Sequence, residues 1–284
     1  MNTNKYLEAY YNEYDEENRL VRNRVGQVEY LTTRKYIDEY LTSKDIKILE
    51  VGAGTGRYSV TLAKEGYEVT AVELVEHNLE ILKAKLDGTE RITPLQGNAL
   101  DLTAFDDNIF DLTLVLGPMY HLYTKEEKVT ALKEAVRVTK QGGHIFVAYC
   151  MNEATVIQYV FGCNQLHSLI ESNMITDDWR CVSEPKDLFE MVRLEEIDSI
   201  NEEVKAKRVK IIATDGASRY IRDYLESVDD EMFEQWLSYH YATCERLDLI
   251  GATNHSIVYS KRYEIKNCSK AIQKIPNDSL FTLE

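Results

Sequence analysis

The sequence is short of paired cysteines, of basic charge and of long apolar runs. None of its five cysteines (Cys150, Cys163, Cys181, Cys244, Cys268) forms a C-x-x-C pair. An odd number in a chain of 284 residues points to a reducing compartment, not to a disulfide-framed secreted domain. Lys plus Arg is 33 against 48 for Asp plus Glu, a net charge of −15. At long range such a chain repels a polyanion, which disfavours DNA or RNA as the main partner. No run of 18 apolar residues occurs, so no transmembrane helix and no membrane partner are expected. The N-terminus is polar, acidic and tyrosine-rich, without the apolar centre of a secretory signal. A cytoplasmic protein is expected. Phenylalanine is scarce too, seven against nineteen tyrosines, and tyrosine suits a pocket that is partly wet. What remains is 44% apolar and 29% charged, enough for a buried core.

Along the chain, residues 1–45 read as helical. Tyr6, Tyr10 and Tyr14 share one face, with Leu7 and Tyr11 beside them. Short apolar runs then alternate with amphipathic stretches. Strands are expected at Ile46–Val51, Tyr67–Val72, Ile92–Leu95, Phe110–Leu116 and His144–Tyr149. Helices are expected through Ala63, over Val75–Leu86, and from the capping box Thr124-x-x-Glu127 onward, with Gly142-Gly143 turning into the fifth strand. This alternation implies an α/β doubly wound, mostly parallel sheet. Residues 150–184 break the rhythm and read as a helical insertion over the sheet edge. Pro185–Val192 reads as a short helix, Arg208–Ala213 as a strand, Tyr220–Cys244 as helical and Ser256–Tyr263 as the last strand. The expected division is 1–45 N-terminal helical lid, 46–149 cofactor-binding core, 150–184 insertion forming part of a substrate pocket, 185–266 remainder of the core, and 267–284 peripheral tail.

The most informative segment is Glu50-Val51-Gly52-Ala53-Gly54-Thr55-Gly56. Glycines at a strand-to-helix turn let the backbone approach a ligand closely. Glu73 ends the next strand, where a carboxylate accepts ribose hydroxyls. A dinucleotide fingerprint needs glycine at position 57, which is Arg57, and no G-K-[ST] follows. Glu50 is a poor neighbour for pyrophosphate and a good one for a sulfonium or amino group. The pattern selects an adenosine ligand without phosphates.

With these motifs in order, residues 46–149 resemble the core of a class I S-adenosylmethionine (SAM)-dependent methyltransferase of the small-molecule type. The resemblance implies a seven-stranded sheet whose last strand is antiparallel, and SAM as cofactor. It places cofactor contacts on Glu50, Gly52, Gly54, Gly56, Glu73, the adenine loop Asn98-Ala99, and Leu116. Many members carry Asp where this chain has Asn98. Catalytic groups are expected beyond the strand ends: Tyr120 and His121 after the fourth strand, and His255 at the start of the last. Tyr10 and Tyr14 on the lid, and His240, are candidate substrate contacts. His240 and Cys244 lie four apart, but no H-E-x-x-H or C-x-x-C accompanies them, so no metal is expected. Arg22, Arg24 and Arg34 are candidates to neutralise an acidic substrate. The implied reaction is in-line transfer of the SAM methyl group to a small molecule, by a monomer or homodimer. The alternatives are an RNA or protein methyltransferase, a non-catalytic SAM-binding protein and, furthest off, a nicotinamide oxidoreductase.

Overall fold

The computed structural model describes residues 4–263. Eight strands form one sheet: Lys47–Val51 (β1), Glu68–Glu73 (β2), Ile92–Gln96 (β3), Phe110–Val115 (β4), Thr139–Met151 (β5), Met191–Val192 (β6), Ala206–Ala213 (β7) and His255–Arg262 (β8). The order is β3-β2-β1-β4-β5-β8-β7, with β6 pairing on β5. Strands β1 to β5 are mutually parallel, and β8 runs antiparallel between β5 and β7. The order reverses between β1 and β4, and in an open parallel sheet the crevice at that reversal takes the ligand.

The helices are Asn4–Tyr11 (α1), Arg24–Asp38 (α2), Arg57–Lys64 (α3), Glu76–Ala84 (α4), Lys125–Val138 (α5), Asn152–Thr155 (α6), Leu166–Glu171 (α7), Leu194–Asn201 (α8), Arg222–Ser227 (α9) and Asp230–Thr243 (α10). The Asn23 side chain caps α2 by accepting from the Gly26 N–H, and α2 buries Val25, Val28, Tyr36 and Ile37. The expected capping box of Thr124 and Glu127 opens α5. Ile48, Leu49, Leu114, Ile145 and Phe146 are fully buried, because the central strands have helices on both faces.

The N-terminal helices expected over 1–45 are α1 and α2, separated by a non-helical stretch. Other local expectations are corrected. Gly142-Gly143 is not a turn before the fifth strand. β5 already begins at Thr139, paired to Phe110, and the extra residues are absorbed as a register shift with Gly142 at φ 75°. Pro185–Val192 is a single 3-10 turn, Pro185–Asp187, followed by the short β6, so the sheet has an eighth strand. Its backbone is broken by Leu188 at φ 72°, a conformation outside any helix. Helix α8, with Ile197 and Ile200 buried, had no counterpart in the sequence reading. The tail 267–284 and Cys268 lie outside the described residues.

Candidate active site

The loop after β1 and the loop after β4 meet at the sheet's reversal point. The N–H groups of Gly52 and Ala53 both donate to the Val72 carbonyl, at 2.8 and 3.0 Å. Gly52 sits at φ +75°, and a Cβ there would lie 2.6 Å from Pro118 Cδ. Only glycine allows this approach. Glu73 is buried and ties the loop down. One carboxylate oxygen accepts the Gly54 N–H at 2.7 Å, the other the Val75 N–H at 2.8 Å. The Asn78 side chain bonds the same carboxylate, which leaves one of its four lone pairs for a ligand hydroxyl.

These loops line a cavity of about 310 Å³. Glu50, Gly52, Gly54, Glu73, Asn98, Ala99, Leu116, Tyr120 and His121, all expected from the sequence, are on its wall. Gly56 is not on the wall; it is the left-handed residue before α3, packed against Leu82. Glu50 is buried and bonded to the Ser59 hydroxyl. Burial raises its pKa to about 8 against the pull of Ser59, with the Glu73 charge adding to the rise. At that value the carboxyl is mostly protonated near pH 7, and a cation beside it would favour its ionised form.

The segment between α1 and α2 closes the cavity. Arg57, standing where a dinucleotide site needs glycine, donates to the Glu17 carbonyl at 2.7 Å. Lys85 bonds the Glu17 carboxylate and the Thr55 carbonyl. Leu7, Tyr11, Glu16, Arg19 and Leu20 complete the wall.

A second cavity, of about 280 Å³, adjoins the first and shares Tyr11, Glu16, Arg19 and Tyr120 with it. Tyr10 and Tyr14 line it, stacked 4.9 Å apart, and Phe189 meets Tyr10 edge-on at 5.9 Å. Cys150 and Thr155 are its only lining residues from 150–184.

At the junction the Tyr11 hydroxyl lies 3.0 Å from His121 Nε2. His121 Nδ1 is 2.8 Å from the Leu188 carbonyl, which can only accept. The ring proton is therefore on Nδ1, and Nε2 accepts from Tyr11. Leu188, at φ 72°, also accepts from the Tyr123 hydroxyl at 2.9 Å. Burial lowers the His121 pKa to about 4 and raises that of Tyr11 well above its usual value. The Tyr120 hydroxyl donates to the Leu116 carbonyl. Its ring stands between His121, at 4.9 Å, and His255, at 6.5 Å, so the two histidines face different chambers.

His255 belongs to an ionic network. Its Nδ1 lies 3.2 Å from Asp215 and 3.3 Å from Glu29. Burial opposes its charge, but Glu29, followed by Cys150 and Asp215, raises its pKa to about 10. Burial likewise opposes ionisation of Asp215, yet His255 and Arg219 hold its carboxyl well below the usual range. Arg19 clasps Glu29 through one nitrogen at 2.9 and 3.1 Å and reaches Glu16 at 3.0 Å. Glu29, Asp215 and His255 place ligand-type atoms within 4.8 Å of one another. Arg19 and Arg219 already neutralise the same carboxylates, so a metal ion there would have guanidiniums for neighbours.

His240 is buried on α10 behind Gly216 and lines neither chamber. Of the three arginines singled out, Arg22 lines the second chamber, Arg24 pairs with Asp230, and Arg34 pairs with Asp38 and Glu65. Tyr11, Glu16, Arg19, Glu29, Asp215 and Arg219 were missed as site residues. Tyr11 had a signal, being next to the Tyr10–Tyr14 face. Asp215 had none, since Asp-Gly after a strand reads as a turn.

Residues 48–143 match the family model described as "Methyltransferase domain". Residues 48–143 of the chain therefore carry a methyltransferase domain. Over 109 residues it is 31% identical to "Putative methyltransferase YqeM" of Bacillus subtilis (strain 168), covering 38% of this chain and 44% of that protein. Over 101 residues it is 36% identical to a demethylmenaquinone methyltransferase of Clavibacter sepedonicus, covering 36% and 40%. The chain thus spans about two-fifths of the length of the curated relatives it matches. Among solved structures, "SAM-dependent methyltransferase, possible histamine N-methyltransferase" of Thermotoga maritima superposes with a TM-score of 0.54 at 16% identity, over 91% of this chain and 99% of that one. A SAM-dependent methyltransferase of Methanosarcina mazei gives 0.53 at 15% identity, over 80% and 97%. At such identities the likeness is one of fold. It extends the methyltransferase architecture beyond the matched domain into the later strands. No helix among the described residues is long and apolar enough to cross a membrane.

Proposed function

We propose that this methyltransferase domain serves a small molecule: the first chamber holds SAM, the second holds the methyl acceptor, and the reaction takes place where they join. The observation that carries this reading is the pair of adjoining cavities with Tyr11 and Tyr120 on the walls of both. A macromolecular substrate needs an open cleft, and here α1 and the following segment cover the site.

Bound SAM supplies a methyl group on a sulfonium; its C–S bond breaks as the bond to the acceptor forms, and sulfur keeps the electron pair. The protein's share is to bind, align, exclude water and receive a proton. Glu73 has a lone pair free for a ribose hydroxyl, and Asn98 and Ala99 line the adenine side. Glu50 is placed for the positive end of the cofactor. An acceptor hydroxyl beside Tyr11 passes its proton to the Tyr11 oxygen, while the Tyr11 proton moves to His121 Nε2. With a pKa near 4, His121 cannot ionise a hydroxyl beforehand. It accepts the proton only once methylation has made the oxygen a strong acid, so proton transfer is late. The compartment is reducing, as in a cytoplasm, in keeping with free Cys150, Cys163, Cys181 and Cys244.

Calorimetric titration with SAM, S-adenosylhomocysteine and NADH tests the cofactor. Screening phenols, amines and thiols for S-adenosylhomocysteine release tests the reaction. Tight NADH binding without SAM binding would sink the reading. SAM binding with no turnover of any small acceptor would favour a non-catalytic SAM-binding role.

A further inference from the structure

Within a chain of net charge −15, almost every arginine finds a carboxylate. Among the described residues Arg19, Arg24, Arg34, Arg57, Arg91, Arg137, Arg180, Arg193, Arg208, Arg219 and Arg246 all have one. Arg262 instead donates to the carbonyls of Arg137 and Thr139. The other two without a carboxylate are Arg22 and Arg222, and both line the second chamber.

The rest of that chamber's charge is already balanced. The cations Arg19, Arg219 and His255 offset the anions Glu16, Glu29 and Asp215 through the contacts described above. The balance leaves two guanidiniums unmatched. Arg22 lies 5.7 Å from the Tyr14 ring centre and donates to its hydroxyl at 3.3 Å, so it stands at the end of the stacked Tyr10–Tyr14 wall. Guanidinium forks recognise carboxylate and phosphate oxygens in pairs, and aromatic walls accept a flat unsaturated body. Tyr11, the proton-relay residue, lines the same chamber.

We propose that the methyl acceptor is a small organic anion, a carboxylate or phosphate on a flat unsaturated body, whose charge is held by Arg22 and Arg222 while its nucleophile is directed at Tyr11. This rests on the methyl-transfer reading and adds the substrate class to it. The domain's acidic surface would repel such a ligand at long range, and the two arginines supply the local attraction that admits it.

The test uses the full chain saturated with S-adenosylhomocysteine, titrated with four probes: 4-hydroxybenzoate, phenyl phosphate, neutral 4-hydroxybenzyl alcohol and cationic tyramine. Either anion should bind about tenfold or more tightly than the neutral probe, as expected for a charge-assisted bond. The better of the two anions identifies the acidic group. Arg22→Gln and Arg222→Gln should each weaken the anions about tenfold and leave the neutral probe and S-adenosylhomocysteine unchanged. Arg24→Gln removes the same charge outside the chamber and should change nothing. Equal affinities for all four probes, a preference for tyramine, or no anion binding at millimolar concentration would overturn the proposal. Failure to bind S-adenosylhomocysteine would instead overturn the methyl-transfer reading, so the two failures are distinct.

Discussion

The Tyr11 hydroxyl lies 3.0 Å from His121 Nε2, joining the first helix to the loop after β4 across 110 positions of sequence. The contact spans the wall of the first cavity, while the Leu188 carbonyl fixes the imidazole tautomer and burial keeps the ring neutral. In the proposed reaction it would make the first helix part of the chemistry, because the proton path to His121 would run through Tyr11.

Tyr11→Phe should therefore lower kcat for a hydroxyl acceptor by about 10²-fold, the lower end of general-base contributions. Affinity for S-adenosylhomocysteine should stay within about twofold. A thiol acceptor should be nearly unaffected, because its thiolate carries no proton to remove. In the unaltered protein the rate should show no inflection from His121 above about pH 5, since its pKa lies near 4. Equal kcat loss with thiol and hydroxyl acceptors would reduce Tyr11 to a packing residue.

Glu73→Gln should weaken SAM binding by roughly 1.5–3 kcal/mol, the worth of one charge-assisted hydrogen bond. The Gln variant is preferable to Ala, because its carbonyl oxygen keeps an acceptor for one of the Gly54 and Val75 N–H groups, although its NH2 faces the other. Calorimetry gives the answer, and unchanged affinity would remove Glu73 from the ribose site.

SAM binding near pH 7 should release a proton from Glu50. Its pKa near 8, raised by burial and then by the Glu73 charge, keeps it mostly protonated in the free protein. A cation beside it favours the ionised form, so the carboxyl gives up its proton and affinity rises with pH up to about 8. The binding enthalpy should then depend on the buffer's ionisation enthalpy, and Glu50→Gln should abolish that dependence. A buffer-independent enthalpy in the unaltered protein would contradict the assignment.

Asp215→Ala should destabilise the fold by roughly 3–5 kcal/mol, because it leaves Arg219 without its ion pair and His255 with Glu29 alone. The pH dependence has a definite sign. His255 is raised to about 10 by Glu29, Cys150 and Asp215, so its stabilisation is complete below its unfolded value and is lost as pH climbs through about 10. Asp215 and Glu29 are depressed, by His255 and Arg219 and by Arg19 and His255 respectively. Their stabilisation is present above the ordinary carboxylate range and lost in acid. Thermal melts from pH 5 to 10 should show His255→Asn converging on the unaltered protein at the alkaline end. Parallel curves would reject the ion-pair role.

Hydrogen exchange of residues 4–20 should slow markedly on adding S-adenosylhomocysteine. The segment is held by side-chain contacts, Glu17 to Arg57 and Lys85, Tyr11 to His121 and Arg19 to Glu29, and in the proposed reaction it would lift for the cofactor to enter. Equal protection in both states would mean a permanently packed helix.

Much of the first cavity's wall was legible from the sequence. Glycines 52 and 54, Glu50 and Glu73 are local signals: they follow strands whose apolar runs are unmistakable, and each acts within one strand-turn-helix unit. Periodicity also revealed the parallel sheet and the capping box at Thr124, because both depend on neighbours in sequence. The two-residue strand β6 and the short helix α8 carry too few residues to show a period. The second chamber was decided by tertiary structure alone. Tyr11 meets His121, Glu29 meets His255, and Arg22 shares a chamber with Arg222, across separations that no pattern records. His240 shows the converse, a chemically apt residue that packing places away from both chambers. Charge pairing depends on which side chains the completed fold brings within a few ångströms, and only the assembled sheet, with α1 and α2 laid across its reversal point, sets those distances.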